Sequence, residues 1–365
     1  EAPPAKTVPR SNVTIFVPRL RHCTVHPVSD LCPKNKGFAR NMEQWCKLAP
    51  GRVYVWEYGA SFRNFLEPFP CLYSMADNLR YYHKIGVKGV QIQGNYVSTG
   101  GDLAVLKNQV WSKIFWNPTL DTKIALDEFC KGYYGPAAAD MLAYVNTVED
   151  SVRNPKKLCA DEFAKFSWMT PAVLAQLGQI RDRALAAVAD KEPWLRRVKE
   201  ATIGVEVSAL WKKPAPFEER EGKLIRKDMG AYTYPRALDL VKSLRGAGAT
   251  EWSGGLASQA GFLTWHGGPL VTFTNGLVEV KIAPVLNGRI RQISYAGKGI
   301  LSVEAGGSLV NASTRSMQLV GEPSANEVRM EGGGGIGLFS GVPKFLVEKK
   351  MDMSADGTLT TVGIV

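Results

Sequence analysis

The chain has 365 residues, of which 45% are hydrophobic and 22% charged, and its formal net charge is +11. This length suggests two or three domains, and the composition is typical of a globular protein. No apolar run is long enough for a membrane span, and the Lys and Arg residues are scattered without a nucleic-acid-binding motif. We therefore expect neither a membrane span nor a nucleic-acid partner.

Strand and helix patterns alternate in residues 1–136. Short apolar runs typical of buried strands cover residues 13–17, 52–56 and 87–92. Amphipathic helix patterns follow them over residues 38–48, 75–85 and 103–115, the last capped by Asp102. These β-then-α units predict parallel strands, but a closed barrel needs more such units than these three. We predict the C-terminal part of a TIM-type β/α barrel, favoured over a small open sheet because the chain starts without Met.

Two further regions follow the α/β region. Residues 137–250 carry helical periodicity, with Thr170-Pro171 as a helix start, and predict a helical layer. Residues 251–365 change to the alternating pattern of antiparallel strands, which predicts a β-sandwich that is incomplete at the end of the chain. The turn signals of this region are Asn275-Gly276, Asn287-Gly288 and Asp356-Gly357.

Polar and aromatic residues lie at the ends of the second and third predicted strands. They are Trp56, Glu57, Tyr58, Gln93 and Asn95. The C-terminal ends of barrel strands face the active site, where carboxylates and amides can bind sugar hydroxyls and aromatic rings can stack on sugars. We predict that these residues bind substrate. The alternative is structural: a Glu paired with an Arg, and amides that belong to a turn.

His22 follows the first predicted strand and could also bind a substrate hydroxyl, although a histidine satisfied within its loop is an equal alternative. Arg19 and Arg21 beside it could neutralise an acidic ligand. Trp111, Phe115 and Trp116 lie on an amphipathic helix and are predicted to be core residues.

The cysteines lie in the first 160 residues: Cys23, Cys32, Cys46, Cys71, Cys130 and Cys159. None forms a CxxC pair, and zinc sites normally show tighter pairing with His, so we expect no metal and no cofactor. Buried thiols are the simplest interpretation. One or two disulfides are the alternative if the chain is exported, with Cys23 and Cys32 as the nearest pair.

Three motifs occur in order: Cys23-Thr-Val-His26-Pro27, Trp56-Glu57-Tyr58 and Gly89-Val-Gln-Ile-Gln-Gly94. As an ordered set they resemble a bacterial domain-of-unknown-function family of glycoside-hydrolase-like β/α barrels. That family includes endo-β-N-acetylglucosaminidases that act on complex N-glycans. The resemblance covers about residues 10 to 150. Separately, residues 275–295 look like the opening of a galactose-mutarotase-like sandwich.

The resemblance implies an extracellular or periplasmic protein with a glycan substrate or ligand. It also implies that the three strands are the last of a barrel whose acid/base carboxylate lies on an earlier strand. The catalytic residue is therefore unknown, and the remainder of the same polypeptide is an expected partner. Two alternatives stay open: a non-catalytic extracellular surface or matrix protein on a glycosidase-like scaffold, and a basic module that binds acidic glycans.

Overall fold

A computed structural model of the protein describes residues 2–30, 32–95, 101, 103–153, 158–164, 168–211, 216–246, 249, 262–263, 265–274, 278–283, 289–307, 318–319, 327–334, 345–353 and 359–364. The chain divides into two compact units. The first comprises residues 1–210 and 246–254, and the second comprises residues 211–245 and 255–365.

The first unit begins with β/α alternation and continues with helices. Its described elements are β1 (Ile15–Pro18), α1 (Pro33–Leu48), β2 (Val53–Tyr58), α2 (Leu72–Ile85), β3 (Gly89–Gln93), α3 (Ala104–Trp116), α4 (Thr122–Tyr134), α5 (Ala138–Arg153), α6 (Pro171–Ala187) and α7 (Trp194–Leu210). The three strands form one parallel sheet in the order β1-β2-β3, with Ile15 opposite Val53 and Tyr54 opposite Gly89. The predicted strands and helices of this region are therefore present.

Local sequence signals fix several helix ends. Gly86 ends α2 in the left-handed conformation at φ 88°, a backbone geometry that glycine adopts without a steric penalty. Thr170 caps α6 through its side chain, which accepts a hydrogen bond from the Val173 N–H, and Pro171 occupies the first turn. Asp121 caps α4 in the same way by accepting from the Lys123 N–H.

The parallel sheet is buried on the face that meets α1 and α2. Val17, Val53 and Val55 pack there with Phe38 of α1 and Tyr82 of α2. The opposite face is only partly covered. The prediction that the first strand is buried is therefore wrong for one of its faces, because Phe16 alternates to the other side and is 47% exposed.

The helices from α3 to α7 share a second apolar cluster. Trp111 is buried in it, as predicted. Phe115 and Trp116 were predicted to be core residues and are exposed, Trp116 by 93%. They follow the buried Ile114 at the end of α3, and the last turn of this helix directs them to the surface.

The second unit consists of β-strands and one helix in its described part. These elements are β4 (Phe217–Arg220), β5 (Lys223–Arg226), α8 (Tyr234–Gly246), β6 (Gly268–Pro269), β7 (Val271–Thr274), β8 (Val278–Ala283), β9 (Arg289–Tyr295), β10 (Lys298–Gly307), β11 (Gln318–Leu319), β12 (Glu327–Gly334), β13 (Phe345–Met353) and β14 (Leu359–Ile364). They pair into antiparallel sheets of order β4-β5-β6, β10-β9-β8-β7 and β11-β12-β13-β14.

Several predictions about organisation stay predictions. The partial barrel, the packing of the antiparallel sheets into a sandwich and the division at residues 136 and 250 are among them. The three predicted turns of the C-terminal region and the cap at Asp102 lie outside the described residues.

Candidate functional site

Glu57 lies near the end of β2, and its side chain faces the buried side of the sheet. The residue is 0% exposed. Its carboxylate accepts hydrogen bonds from Arg19 Nε at 2.7 and 2.8 Å, from Tyr82 Oη at 2.5 Å and from Asn78 Nδ2 at 3.2 Å. These donors satisfy the buried charge, which would otherwise be costly.

Arg19 is the cation of this cluster and follows directly after β1. Its backbone N–H bonds to the Trp56 carbonyl, which places it beside the end of β2. Its Nη1 donates to the Cys23 carbonyl at 2.6 Å. Burial alone would lower the pKa of the guanidinium, but the charge of Glu57 raises it above its usual value. Arg19 and Glu57 thus form an ion pair that is shielded from water.

Tyr82 and Asn78 connect this ion pair to α2. Burial raises the pKa of Tyr82 well above its usual value, and the negative charge of Glu57 raises it further, so the phenol stays protonated and donates to the carboxylate. Asn78 also accepts a hydrogen bond from the Val28 N–H at 2.6 Å. The cluster therefore ties β2, α2 and the loop after β1 together.

Glu162 is a second buried carboxylate, contributed by the segment between α5 and α6. Its Oε1 accepts from the Arg21 N–H at 2.9 Å, and its Oε2 is buried with no hydrogen-bond partner among the residues that the structure describes. Burial raises the pKa of this carboxyl, while the Arg21 N–H and the charge of Arg19 lower it in part. Sequence reasoning missed Glu162 because 141 positions separate it from Arg21, and no local pattern marks it.

Aromatic residues line the opposite, partly covered face of the sheet. The rings of Phe16 and Trp56 stack with centroids 5.9 Å apart and an interplanar angle of 17°. Trp56 stacks in turn on Tyr58, at 6.0 Å and 15°. Trp56 Nε1 donates to Gln93 Oε1 at 3.1 Å, across the β2–β3 pairing. We call Phe16, Trp56, Tyr58 and Gln93 the aromatic face.

The structure separates the predicted site residues into groups. Trp56, Tyr58 and Gln93 belong to the aromatic face, whereas the Glu57 side chain lies on the other side of the same strand. Asn95 follows β3 and is half-buried. His22 packs its ring on Phe38 of α1, with centroids 4.9 Å apart, and its Nδ1 lies 2.9 Å from the Leu20 carbonyl. A role in substrate binding stays a prediction for all of them.

Four residues of the metal-ligating types come together beside the loop after β1. They are Cys23, His26, Cys32 and Cys159, and their ligand atoms all lie within 4.8 Å of one another. We expected no metal site because the cysteines form no CxxC pair and lack tight pairing with His. Cys159 lies 127 positions from Cys32, a separation that no local motif spans.

Comparison with known proteins gives a family match for the N-terminal part of the chain. Residues 1–147 match a family described as "Domain of unknown function (DUF4838)". The chain matches no curated protein and no solved structure. The resemblance to a domain-of-unknown-function family is thereby confirmed for the N-terminal region.

No helix in the described part of the chain combines the length and the apolar character that crossing a bilayer requires.

Proposed function

We propose that this protein binds glycans that contain N-acetylglucosamine, on the aromatic face of its parallel sheet. The observation that carries the proposal is the stack of Phe16, Trp56 and Tyr58 beside the amide of Gln93. Apolar faces of sugar rings pack on aromatic side chains, and amides both donate to and accept from hydroxyl and acetamido groups.

The accessible part of this face is suited to a sugar ring. Phe16 is 47% exposed and Trp56 is half-buried, so both offer ring surface to a ligand. The buried Tyr58 stacks on Trp56. The hydrogen bond from Trp56 holds Gln93 in place, which reduces the entropy lost when a ligand binds. The exposed Gln91, two residues earlier on β3, adds a second amide on the same side.

We further propose that residues 1–136 are part of a glycoside-hydrolase-like β/α barrel. Parallel sheets are normally covered on both faces, and here α1 and α2 cover only one. In a barrel, the aromatic face would point inward, towards the site that barrel enzymes use. The ordered motifs that resemble glycosidase-like barrels support the same proposal, and with it an extracellular or periplasmic location and action on N-glycans.

A second candidate function is a non-catalytic extracellular surface or matrix protein on the same scaffold. The state of Glu57 favours it. A general acid or base must reach the bond that it cleaves, yet this carboxylate is 0% exposed and engaged by Arg19, Tyr82 and Asn78. Hydrolysis would then need a carboxylate from another part of the polypeptide.

Calorimetry with N-acetylglucosamine oligosaccharides and complex N-glycans, using the 365-residue chain, tests the proposed binding. Trp56→Ala should raise the Kd about tenfold or more, which corresponds to about 1.4 kcal/mol. Trp116→Ala is the matched control, because it removes an exposed indole outside the aromatic face. Equal affinities for the two variants, or no binding by the unaltered chain, would refute the proposal.

An assay for glycan release distinguishes the two candidate functions. N-glycan binding without product release supports the non-catalytic candidate when the assayed polypeptide also contains the remaining barrel strands, because the acid/base carboxylate of a hydrolase is expected on an earlier strand. Product release that is abolished by Trp56→Ala supports a hydrolase. In that case, the rate of product release by Glu162→Gln shows whether the second buried carboxylate takes part in hydrolysis.

A further inference from the structure

The cluster of Cys23, His26, Cys32 and Cys159 is compact. Cys23 Sγ lies 3.3 Å from His26 Nδ1, and Cys32 Sγ lies 3.2 Å from Cys159 Sγ. Cys159 Sγ and His26 Nδ1 are 4.0 Å apart, and all four ligand atoms fall within 4.8 Å of one another. The two close pairs are thus themselves neighbours, and the four atoms form one compact group.

These separations match the edges of a tetrahedral zinc site. Zinc binds sulfur at about 2.3 Å and imidazole nitrogen at about 2.0–2.1 Å, which sets the ligand atoms of a tetrahedron about 3.5–3.8 Å apart. The three distances above, which are three of the six edges, lie within about 0.3 Å of this range. Three sulfurs with one imidazole are also a ligand set that structural zinc sites use.

The loop that carries three of the ligands is held in place by Asn35 of α1. The Asn35 side chain is buried, accepts from the Cys23 N–H at 3.0 Å, and donates to the carbonyls of Cys23, His26 and Pro27. Arg19 donates to the same Cys23 carbonyl. These bonds fix the backbone at the ligands, as the polar neighbours of metal sites commonly do.

The fourth ligand comes from a segment that docks on this loop. Both the N–H and the hydroxyl of Thr24 donate to the Ala160 carbonyl, at 2.8 and 2.9 Å. This pairing places Cys159 beside the loop at a separation of 127 residues from Cys32. A metal bound here would therefore join the loop after β1 to the segment that follows α5.

We propose that Cys23, His26, Cys32 and Cys159 bind one zinc ion in tetrahedral coordination. Four protein ligands leave no open position, so the site is structural rather than catalytic. Cys23 and Cys32 are buried, whereas His26 and Cys159 are half-buried and provide the entry side for the ion. The proposal is independent of glycan binding and rests only on this cluster.

A disulfide between Cys32 and Cys159 is the competing interpretation. Their sulfurs are 3.2 Å apart, and a disulfide would bring them to about 2.05 Å. It would consume two of the zinc ligands. The two states are therefore mutually exclusive and give different metal and thiol contents.

Metal analysis of the full chain is the first test. The protein purified with Zn²⁺ and a thiol reductant, then desalted, should contain one zinc per chain. Replacement with Co²⁺ should give the visible absorption of a tetrahedral thiolate site and the near-ultraviolet bands of cobalt–sulfur charge transfer. Zinc should also protect three of the six cysteines from alkylation.

Ligand variants with a matched control are the second test. Cys159→Ser and His26→Ala should each lower zinc affinity by more than about 100-fold, because changes to groups that only support ligands already cost up to that amount. Cys46→Ser should bind zinc like the unaltered chain, since Cys46 is a buried thiol of α1 outside the cluster.

Measurements on the unaltered protein test the proposed zinc site even if a variant fails to fold. Added Zn²⁺ should raise its Tm, and removal by a chelator should reverse the shift. Less than stoichiometric zinc after Zn²⁺ titration of the reduced protein overturns the proposal. So does a Cys32–Cys159 disulfide, identified by peptide mapping, that persists when the protein is prepared under reducing conditions with Zn²⁺.

Discussion

Burial and pairing with Arg19 give Glu57 a structural role at the end of its strand. Glu57 follows the sequence pattern of a strand-end carboxylate, yet both residues are 0% exposed and bound to each other. Buried ion pairs contribute little net stability, but removal of one partner leaves an uncompensated charge. The pair therefore specifies how the ends of β1 and β2 meet.

Glu57→Gln should accordingly destabilise the protein by about 3–5 kcal/mol, because Arg19 keeps its buried charge. The double variant Arg19→Met/Glu57→Gln should recover much of this loss, since Gln can still accept from Tyr82. Urea unfolding of the three proteins measures both effects. A single variant within about 1 kcal/mol of the unaltered chain would contradict a tightly paired Glu57.

Glu149 gives a prediction about pH. It is buried and accepts from the N–H groups of Leu72 and Tyr73 at the start of α2. Burial raises its pKa to about 7, against the opposing effects of these N–H groups and of Lys107 and Arg153. The folded state then holds a proton that the unfolded state releases at lower pH. The contribution of Glu149 to the free energy of unfolding is fully present below about pH 4.5, and it is lost as the pH rises through about 7.

Glu149→Gln should therefore flatten the dependence of the unfolding free energy on pH between about 4.5 and 7. Glu128→Gln is the control, because that carboxylate is exposed and paired only with Lys113 at the surface. Unfolding at a series of pH values gives the slopes. Identical slopes for Glu149→Gln and the unaltered chain would contradict a raised pKa for Glu149.

Among the helices, two glycines differ in the space around them, so their replacement by alanine should have opposite effects on stability. A Cβ on Gly204 of α7 would clash with the Leu66 carbonyl oxygen, whereas a Cβ on Gly178 of α6 would meet no atom of the described residues within 4 Å. Gly178→Ala should stabilise the protein by up to about 1 kcal/mol through helix propensity. Gly204→Ala should destabilise it, because backbone must move to relieve the clash.

The two alanine variants are each other's control, since they make the same chemical change in neighbouring helices. Their Tm values should shift in opposite directions. A stabilising Gly204→Ala would mean that α7 does not approach Leu66 as closely as the structure describes.

The whole molecule carries a net charge of +11. The salt dependence of binding therefore distinguishes the proposed neutral ligand from an acidic one. Recognition by rings and amides is little affected by salt, whereas attraction to a sulfated glycan is screened. We expect the Kd for a neutral N-acetylglucosamine glycan to change less than about twofold between 0.05 and 0.5 M salt, which is about a threefold change in Debye length. Calorimetry at the two ionic strengths measures it. Strong salt dependence together with retention on a heparin-like resin would favour the basic module instead.

The local elements of the first unit could be predicted from the order of residues alone. Periodicity located β1 to β3 and the helices between them, and Gly86, Thr170 and Pro171 marked helix ends. These features depend on neighbours within a few positions, so they can be predicted from the sequence alone. The aromatic face was predicted in part, through Trp56, Tyr58 and Gln93, because strand alternation and strand ends are local signals.

The folded structure was needed to show which groups meet across long separations. It paired Glu57 with Arg19 on one side of β2, left Phe16 exposed on the other, and brought Glu162 and Cys159 to the loop after β1. Those contacts depend on how the segment after α5 docks, which no local pattern encodes. The physical reason is that burial and charge pairing are properties of the packed chain, whereas periodicity belongs to each segment alone.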